Sequence, residues 1–208
     1  MTKVLIVDSA ATGDQSVSRK LTGEFAERLQ RQAGASIVRR DVGSDPVPPL
    51  TAATVGAIRG AEPDSDESRA ALALSDRLVA EVKDADVIDI GAPMYNFGMA
   101  STLKAWFDHV LRAGVTFRYS AEGPEGLVTG KRAVVIESRA GLYSEGPASV
   151  MDHQEPHIRT LLGFIGITDV TFVRAEKLAF GPDAASAAIA QAADQLGAFA
   201  EAELKLAA

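Results

Sequence analysis

The chain has 208 residues, 47% hydrophobic and 24% charged, with a formal net charge of −7; this suits one domain over residues 1–208 with a sizeable core and excludes a disordered chain. The negative balance, with no local basic cluster, argues against nucleic-acid partners and anionic membrane surfaces. No cysteine is present, so disulfides, thiolate nucleophiles, zinc–cysteine sites and cysteine-ligated iron–sulfur clusters are excluded.

The opening MTKVLIVDSA lacks a basic segment followed by a long apolar one, and charges interrupt every apolar run. Neither a signal peptide nor a membrane span is expected, and the expected location is the cytoplasm. Lys3–Asp8 (KVLIVD) reads as a buried strand. After the loop DSAATGDQSVSRKL, Leu21, Phe25 and Leu29 recur every four residues and predict a helix over Ser16–Ala33. Ser36–Arg40 is a second, less apolar strand. Asp41–Asp66 carries four prolines and is expected to run over the surface. Ala71, Leu72, Leu78, Val79 and Val82 mark one face of a helix over Glu67–Lys83, and Asp86–Ala92 is a third strand.

The loop APMYNFGM, residues 92–99, follows that strand with a proline, two methionines and two aromatics where Gly, Asn, Asp or Ser would turn the chain. Leu103, Trp106, Phe107, Val110 and Leu111 predict a helix over Ala100–Ala113. Gly114–Gly130 is a second insertion, containing Phe117 and Tyr119. Arg132–Ser138 and Asp169–Arg174 are the fourth and fifth strands. Ile189, Leu196, Phe199 and Leu204 lie along a last, alanine-rich amphipathic helix.

Continuous Val/Ile strands alternating with helices imply right-handed βαβ units and a parallel sheet covered on both faces. The expected fold is a flavodoxin-like doubly wound α/β domain with a five-stranded parallel sheet of order 2-1-3-4-5. Its ligand site would lie at the carboxyl ends of the strands, near the switch between the first and third.

Three loops meet that rim. In the first, the amides at a helix N-terminus and the hydroxyls of Ser9, Ser16 and Ser18 suit a phosphate, although Ser16 or Asp14 also reads as an ordinary N-cap. No G-x-G-x-x-G is present, and GPEGLVTGKR lacks both the spacing and the strand-to-helix setting of a P-loop. The second loop offers Met94, Tyr95 and Phe97 as a wall. The third, SRAGLY at Ser138–Tyr143, reads equally as a plain turn or as a platform that lets backbone amides approach a ligand. A flat, conjugated, phosphorylated cofactor would use all three loops, and flavin mononucleotide (FMN) is such a molecule. His153 and His157, four apart in MDHQEPHIR, have Pro156 between them and no third metal ligand nearby, and read as solvated or loop-packing residues. His109 reads as a surface or interface residue, and nothing pairs Glu122, Glu125 or Glu145 as acid and base.

Across nearly its whole length the chain resembles the FMN-dependent NADH azoreductase family, NAD(P)H:quinone and azo-dye reductases of the flavodoxin-like superfamily. The resemblance rests on the opening strand with Ser9, on SVSRKL, on APMYNF followed by LKAWFD, RAGVTFRY and GPEGL, and on LLGFIGITDV. It implies non-covalently bound FMN with its phosphate at Ser9, Ser16, Val17 and Ser18. Met94, Tyr95, Asn96 and Phe97 would flank the isoalloxazine, and Ser138, Arg139, Ala140 and Gly141 would approach its pyrimidine side. It further implies NADH or NADPH as co-substrate, quinones and azo compounds as acceptors, and a homodimer with the flavin at the interface. Phe97, Phe117 and Tyr119 become candidates for stacking on acceptors, and no side-chain acid or base is assigned. Ala10 stands where many relatives have serine, and Ala140 where the family usually has glycine. A flavodoxin-type electron carrier serving protein partners is the competing reading, and the apolar rim disfavours it.

Overall fold

The structure, a computed structural model, describes residues 1–207, with the side chains of residues 32, 33 and 203–207 left out. Leu204, expected on the apolar face of the last helix, therefore lies outside the described residues. The elements run β1 (Lys3–Asp8), α1 (Val17–Ala33), β2 (Ser36–Asp41), α2 (Val55–Ile58), α3 (Asp66–Asp84), β3 (Val87–Tyr95) and β4 (Gly98–Met99). They continue with α4 (Ser101–Val110), β5 (Phe117–Ser120), β6 (Gly123–Gly126), β7 (Arg132–Ser138), α5 (Glu155–Phe164), β8 (Asp169–Ala175) and α6 (Pro182–Ala207).

The sheet order is β2-β1-β3-β7-β8, every neighbouring pair parallel. Counting the parallel strands alone, this is the expected order 2-1-3-4-5. Side chains on β3 alternate between two apolar layers. Ile88 and Ile90 pack with Leu78 and Val82 of α3, Trp106 and Phe107 of α4, and Ile158 of α5. Val87 lies on the other face with Ile6, Val134, Phe25 of α1 and Leu196 of α6. Trp106 and Phe107 are fully buried and meet edge to face at 4.9 Å; burial of each contributes roughly 1.5–3 kcal/mol. The helices α1 and α6 are joined by a similar contact between Phe25 and Phe199 at 5.8 Å.

Four details depart from the sequence expectation. The third strand continues through Tyr95 instead of ending at Ala92, because Gly98–Met99 folds back on it as β4. Helix α4 stops at Val110 rather than Ala113, where the Thr116 hydroxyl donates to the Val110 carbonyl at 2.7 Å and accepts the Arg112 amide at 2.8 Å. Asp41–Asp66 is not wholly superficial: it buries Val42, Val47 and Ile58, and the Pro48 carbonyl lies 3.0 Å from His109 Nε2. His109 is itself buried. The second insertion folds as the β5–β6 hairpin, whose Gly126 lies so close to the backbone of Ile165 and Gly166 that a Cβ would overlap it.

Candidate functional site

The parallel register sets the ends of β1, β3 and β7 side by side, with Asp8 opposite Gly91 and Pro93 opposite Ser138. The three sequence-predicted loops therefore share one rim at the switch point. Ser9 ties the first loop down: its amide and its hydroxyl both donate to the Gly91 carbonyl, at 3.2 and 2.7 Å. The Ser9 hydroxyl proton is thus committed within the protein. A single turn of 3-10 helix (Gly13–Gln15) then leads to Ser16, the N-cap of α1. Its Oγ accepts the Arg19 amide at 3.4 Å and lies 3.0 Å from the Ser18 hydroxyl. The amides of Val17 and Ser18, in the first turn, have no intrahelical acceptor and face the positive end of the helix dipole. Ala10 is buried, and its carbonyl lies so close to Gly43 that a Cβ there would overlap it.

The second loop is a β-hairpin turned by Asn96 and Phe97, both with left-handed backbone (φ 48° and 70°). Two consecutive positive φ values match the two-residue turn that suits strand twist. Asn tolerates this region, whereas a bulky aromatic is uncommon there and marks a site of stored strain. Phe97 is 43% exposed, and its ring meets the Tyr143 ring edge to face at 6.1 Å. Tyr95 leans the other way, its hydroxyl accepting the Ala11 amide at 3.1 Å and so bracing the first loop. Met94 is half-buried beside it. Among the described residues, the Asn96 and Phe97 amides donate to no protein acceptor.

In the third loop, the side chain of Arg139 is fully buried. Its guanidinium donates to Gln154 Oε1 and Glu176 Oε1, each at 3.2 Å, and lies 3.0 Å from Asp152 Oδ2. Glu137 Oε2 is 2.6 Å away as an ion pair, without the alignment of a hydrogen bond. Burial pushes the Glu137 carboxyl up to about 8, with Arg139 opposing. Burial would also raise Glu176, but bonds from the Ser144 hydroxyl, the Tyr143 amide and Arg139 bring it below the usual range. Arg139 is therefore committed to holding the loop, and among the described residues the amides of Ala140, Gly141 and Leu142 have no protein acceptor there. Ala140 is exposed and does not have positive φ, so its methyl replaces a glycine hydrogen without backbone strain.

Beneath the first loop lie two buried carboxyls on the α1 face of the sheet. Asp8 accepts the Thr22 hydroxyl at 2.7 Å and pairs with Arg39 at 3.1 Å; burial nonetheless raises its pKa. Asp89 sits fully buried in mid-strand with neither oxygen hydrogen-bonded. Burial first, and then the neighbouring Asp8, push its pKa well above the ordinary carboxyl value, because both disfavour the charged form.

The rim thus brings together Ser9, Ser16, Val17 and Ser18, then Met94–Phe97, then Ser138–Gly141. It does not bring in Phe117, which is 8% exposed with its ring tilted on Phe164 at 4.6 Å. Tyr119 stands out from the β5–β6 hairpin, 73% exposed. Sequence reasoning missed Tyr143, Asp152, Gln154 and Glu176; of these only Asp152, ahead of a proline-containing helix start, carries a local signal. His153 lies outside α5, which begins at Glu155 with Pro156 in its first turn, so no continuous helix carries both histidines. The donor set fits FMN: helix-start amides and hydroxyls for a dianionic phosphate, and two groups of free amides for the polar edge of a flat ring.

Fold and site together define a doubly wound α/β protein with a nucleotide-type site at the switch point. The family model described as "Flavodoxin-like fold" matches residues 2–200, and the chain belongs to that family. It is 52% identical over 202 residues to an FMN-dependent NADH:quinone oxidoreductase of Hyphomonas neptunium, with 97% of each chain covered. Identity to the Azotobacter vinelandii protein of the same description is 48% over 198 residues, covering 94% of this chain and 98% of that one. Among solved structures, an azoreductase from Bacillus anthracis matches with a TM-score of 0.87 at 28% identity, covering 96% of this chain and 99% of the other.

Proposed function

We propose that the protein is an FMN-dependent NADH:quinone oxidoreductase that also cleaves azo bonds reductively. The observation that carries this is 52% identity, over 97% of both chains, to a relative of that description. FMN held by these residues would supply two-electron redox chemistry between a nicotinamide and the acceptor, a quinone needing one such two-electron reduction and an azo bond two.

The protein binds and orients. The Val17 and Ser18 amides, with the Ser16 and Ser18 hydroxyls, hold the phosphate; Ser9 acts by fixing the loop. Met94–Phe97 wall one edge of the ring, and the Asn96 and Phe97 amides bond to it. The amides of Ala140 and Gly141 would hold the pyrimidine side of the ring and would stabilise negative charge there. Phe97 presents an apolar surface to aromatic acceptors. An electron carrier would surround the flavin with acidic side chains, whereas this rim is aromatic.

A homodimer with the flavin at the interface is part of the same reading. It is supported by Val150, 79% exposed, and Met151, which lead into the His153 contact with Phe97, and by Tyr119, which would face the other subunit's cleft. The cytoplasm, where NADH is available, is the compartment that suits the reaction. The test is steady NADH consumption by FMN-loaded protein with menadione and with an azo dye. Absence of turnover with both, in protein that shows a flavin absorption spectrum, refutes the reductase reading.

A further inference from the structure

We propose that Asp152 is a positioning residue for the acceptor face: anchored by the buried Arg139 guanidinium, it places the His153 amide that holds Phe97 in its left-handed backbone conformation. This rests on the flavin reading of the rim given above.

The hairpin cannot easily hold Phe97 by itself. A left-handed backbone strains any residue with a Cβ, and only two residue pairs, Met94 with Met99 and Tyr95 with Gly98, close the turn. Among the described residues, one hydrogen bond from outside the hairpin reaches the turn's backbone: the His153 amide donates to the Phe97 carbonyl at 3.0 Å, sharing its proton with the Met151 carbonyl. His153 is placed by its two neighbours. Asp152 Oδ1 accepts the amides of Gln154 and Glu155, at 2.9 and 3.1 Å, which bends the chain into α5. Its Oδ2 lies 3.0 Å from Arg139 Nη2. Gln154, fully buried, accepts from Arg139 Nε and donates to the Ala92 carbonyl at 2.9 Å, two residues before Met94. Arg139 thus connects the third rim loop to the hairpin through residues 152–154. None of these charged groups needs to touch flavin or acceptor; what they determine is where the Phe97 carbonyl, and with it the ring, can sit.

A plain helix cap at Asp152 would also stabilise the protein, so the test must depend on which residue occupies position 97. Glycine adopts positive φ without a Cβ penalty. In the apoprotein, Asp152→Ala is expected to speed hydrogen exchange of the amides of the paired hairpin residues Met94, Tyr95, Gly98 and Met99 about tenfold when Phe97 is present. In a Phe97→Gly background the same substitution should change it less than twofold. In parallel, Asp152→Ala should raise the FMN dissociation constant about tenfold with Phe97 and leave it unchanged with glycine. If Asp152→Ala fails to fold, Asp152→Asn keeps the Oδ1 acceptor, weakens only the tether to Arg139, and should act in the same direction by about threefold. Unchanged hairpin exchange, or equal acceleration in both backgrounds, overturns the proposal. Failure of the wild-type protein to bind FMN overturns the flavin reading instead, and the exchange data still decide the role of Asp152.

Discussion

Replacing Ser16 and Ser18 together by alanine separates ligand binding from folding. In the ligand-free protein the two hydroxyls are partners at 3.0 Å, and Ser18 is fully buried. Removing both leaves no orphaned member of that pair, which is the cheap way to delete a hydrogen bond. The remaining loss is the Ser16 cap on the Arg19 amide, long at 3.4 Å, and worth about 0.5 kcal/mol at the weak end of N-cap effects. The apoprotein's unfolding free energy should therefore fall by less than about 1 kcal/mol. With FMN bound, each hydroxyl would instead donate to a dianion, a contact worth roughly 1.5–3 kcal/mol. Two such contacts at the low end amount to about 3 kcal/mol, or about a 150-fold rise in the FMN dissociation constant. The assay is titration of apoprotein with FMN, followed by the change in flavin fluorescence, with riboflavin as the phosphate-free control. Riboflavin affinity should be the same in the double variant and the wild type. An FMN dissociation constant within threefold of wild type, or an equal loss for riboflavin, would refute the phosphate assignment.

Three further perturbations probe other parts of the rim. Asp89→Asn should stabilise the protein near pH 8 and lose that advantage toward pH 4: a folded-state pKa raised by burial stabilises fully only below the unfolded value of about 3.9, and wild type loses this stability as pH rises toward the folded value. Urea unfolding of both proteins at several pH values checks the sign, and a pH-independent difference contradicts it. Gly43→Ala forces a methyl into the Ala10 carbonyl; it should cost about 1–3 kcal/mol in unfolding experiments and weaken FMN binding, since the displaced backbone belongs to the phosphate loop. Phe97→Asn keeps a residue suited to positive φ and removes the exposed ring. It should leave thermal stability equal or higher while raising KM for menadione several-fold, and an unchanged KM would mean that acceptors do not touch Phe97.

The framework of this protein is legible because its central strands, β1, β3 and β7, are buried on both faces. Lys3–Asp8, Arg132–Ser138 and Asp169–Arg174 read as apolar runs, and β-branched composition with helix-period flanks leaves one natural topology. What period and composition do not carry is pairing at strand ends. The extension of β3 through Tyr95 depends on two residues, Gly98 and Met99, folding back, and on a phenylalanine occupying a backbone region that its type avoids. Propensity argues against that turn, so a loop was the natural expectation at 92–99. The same reason kept the β5–β6 hairpin hidden inside Gly114–Gly130: its position depends on Gly126 approaching Gly166, forty residues later.

The candidate site divides in the same way. Residues that would meet the ligand, such as Ser16, Ser18, Asn96 and Phe97, carry their chemistry in short local patterns. Those that brace it do not: Arg139 meets Glu137 within its own strand end, but its other partners Asp152, Gln154 and Glu176 lie 13 to 37 residues away. An arginine in SRAG read by itself suggests a ligand contact, because charged side chains are rarely buried. Here the charge is buried because three acidic side chains surround one guanidinium, and Glu137, the most enclosed of them, has its carboxyl pKa pushed up to about 8. An outward-pointing Arg139 would leave those acids crowded without a cation, so the buried rotamer follows from its neighbours rather than from the motif. Removing the guanidinium would therefore leave the Asp152 and Glu176 carboxylates without their shared cation, a cost of the kind that reaches 3–5 kcal/mol when one partner of a buried ion pair is deleted. That cost falls on the loop carrying the Ala140 and Gly141 amides, which makes Arg139 a determinant of cofactor geometry without requiring it to touch the cofactor.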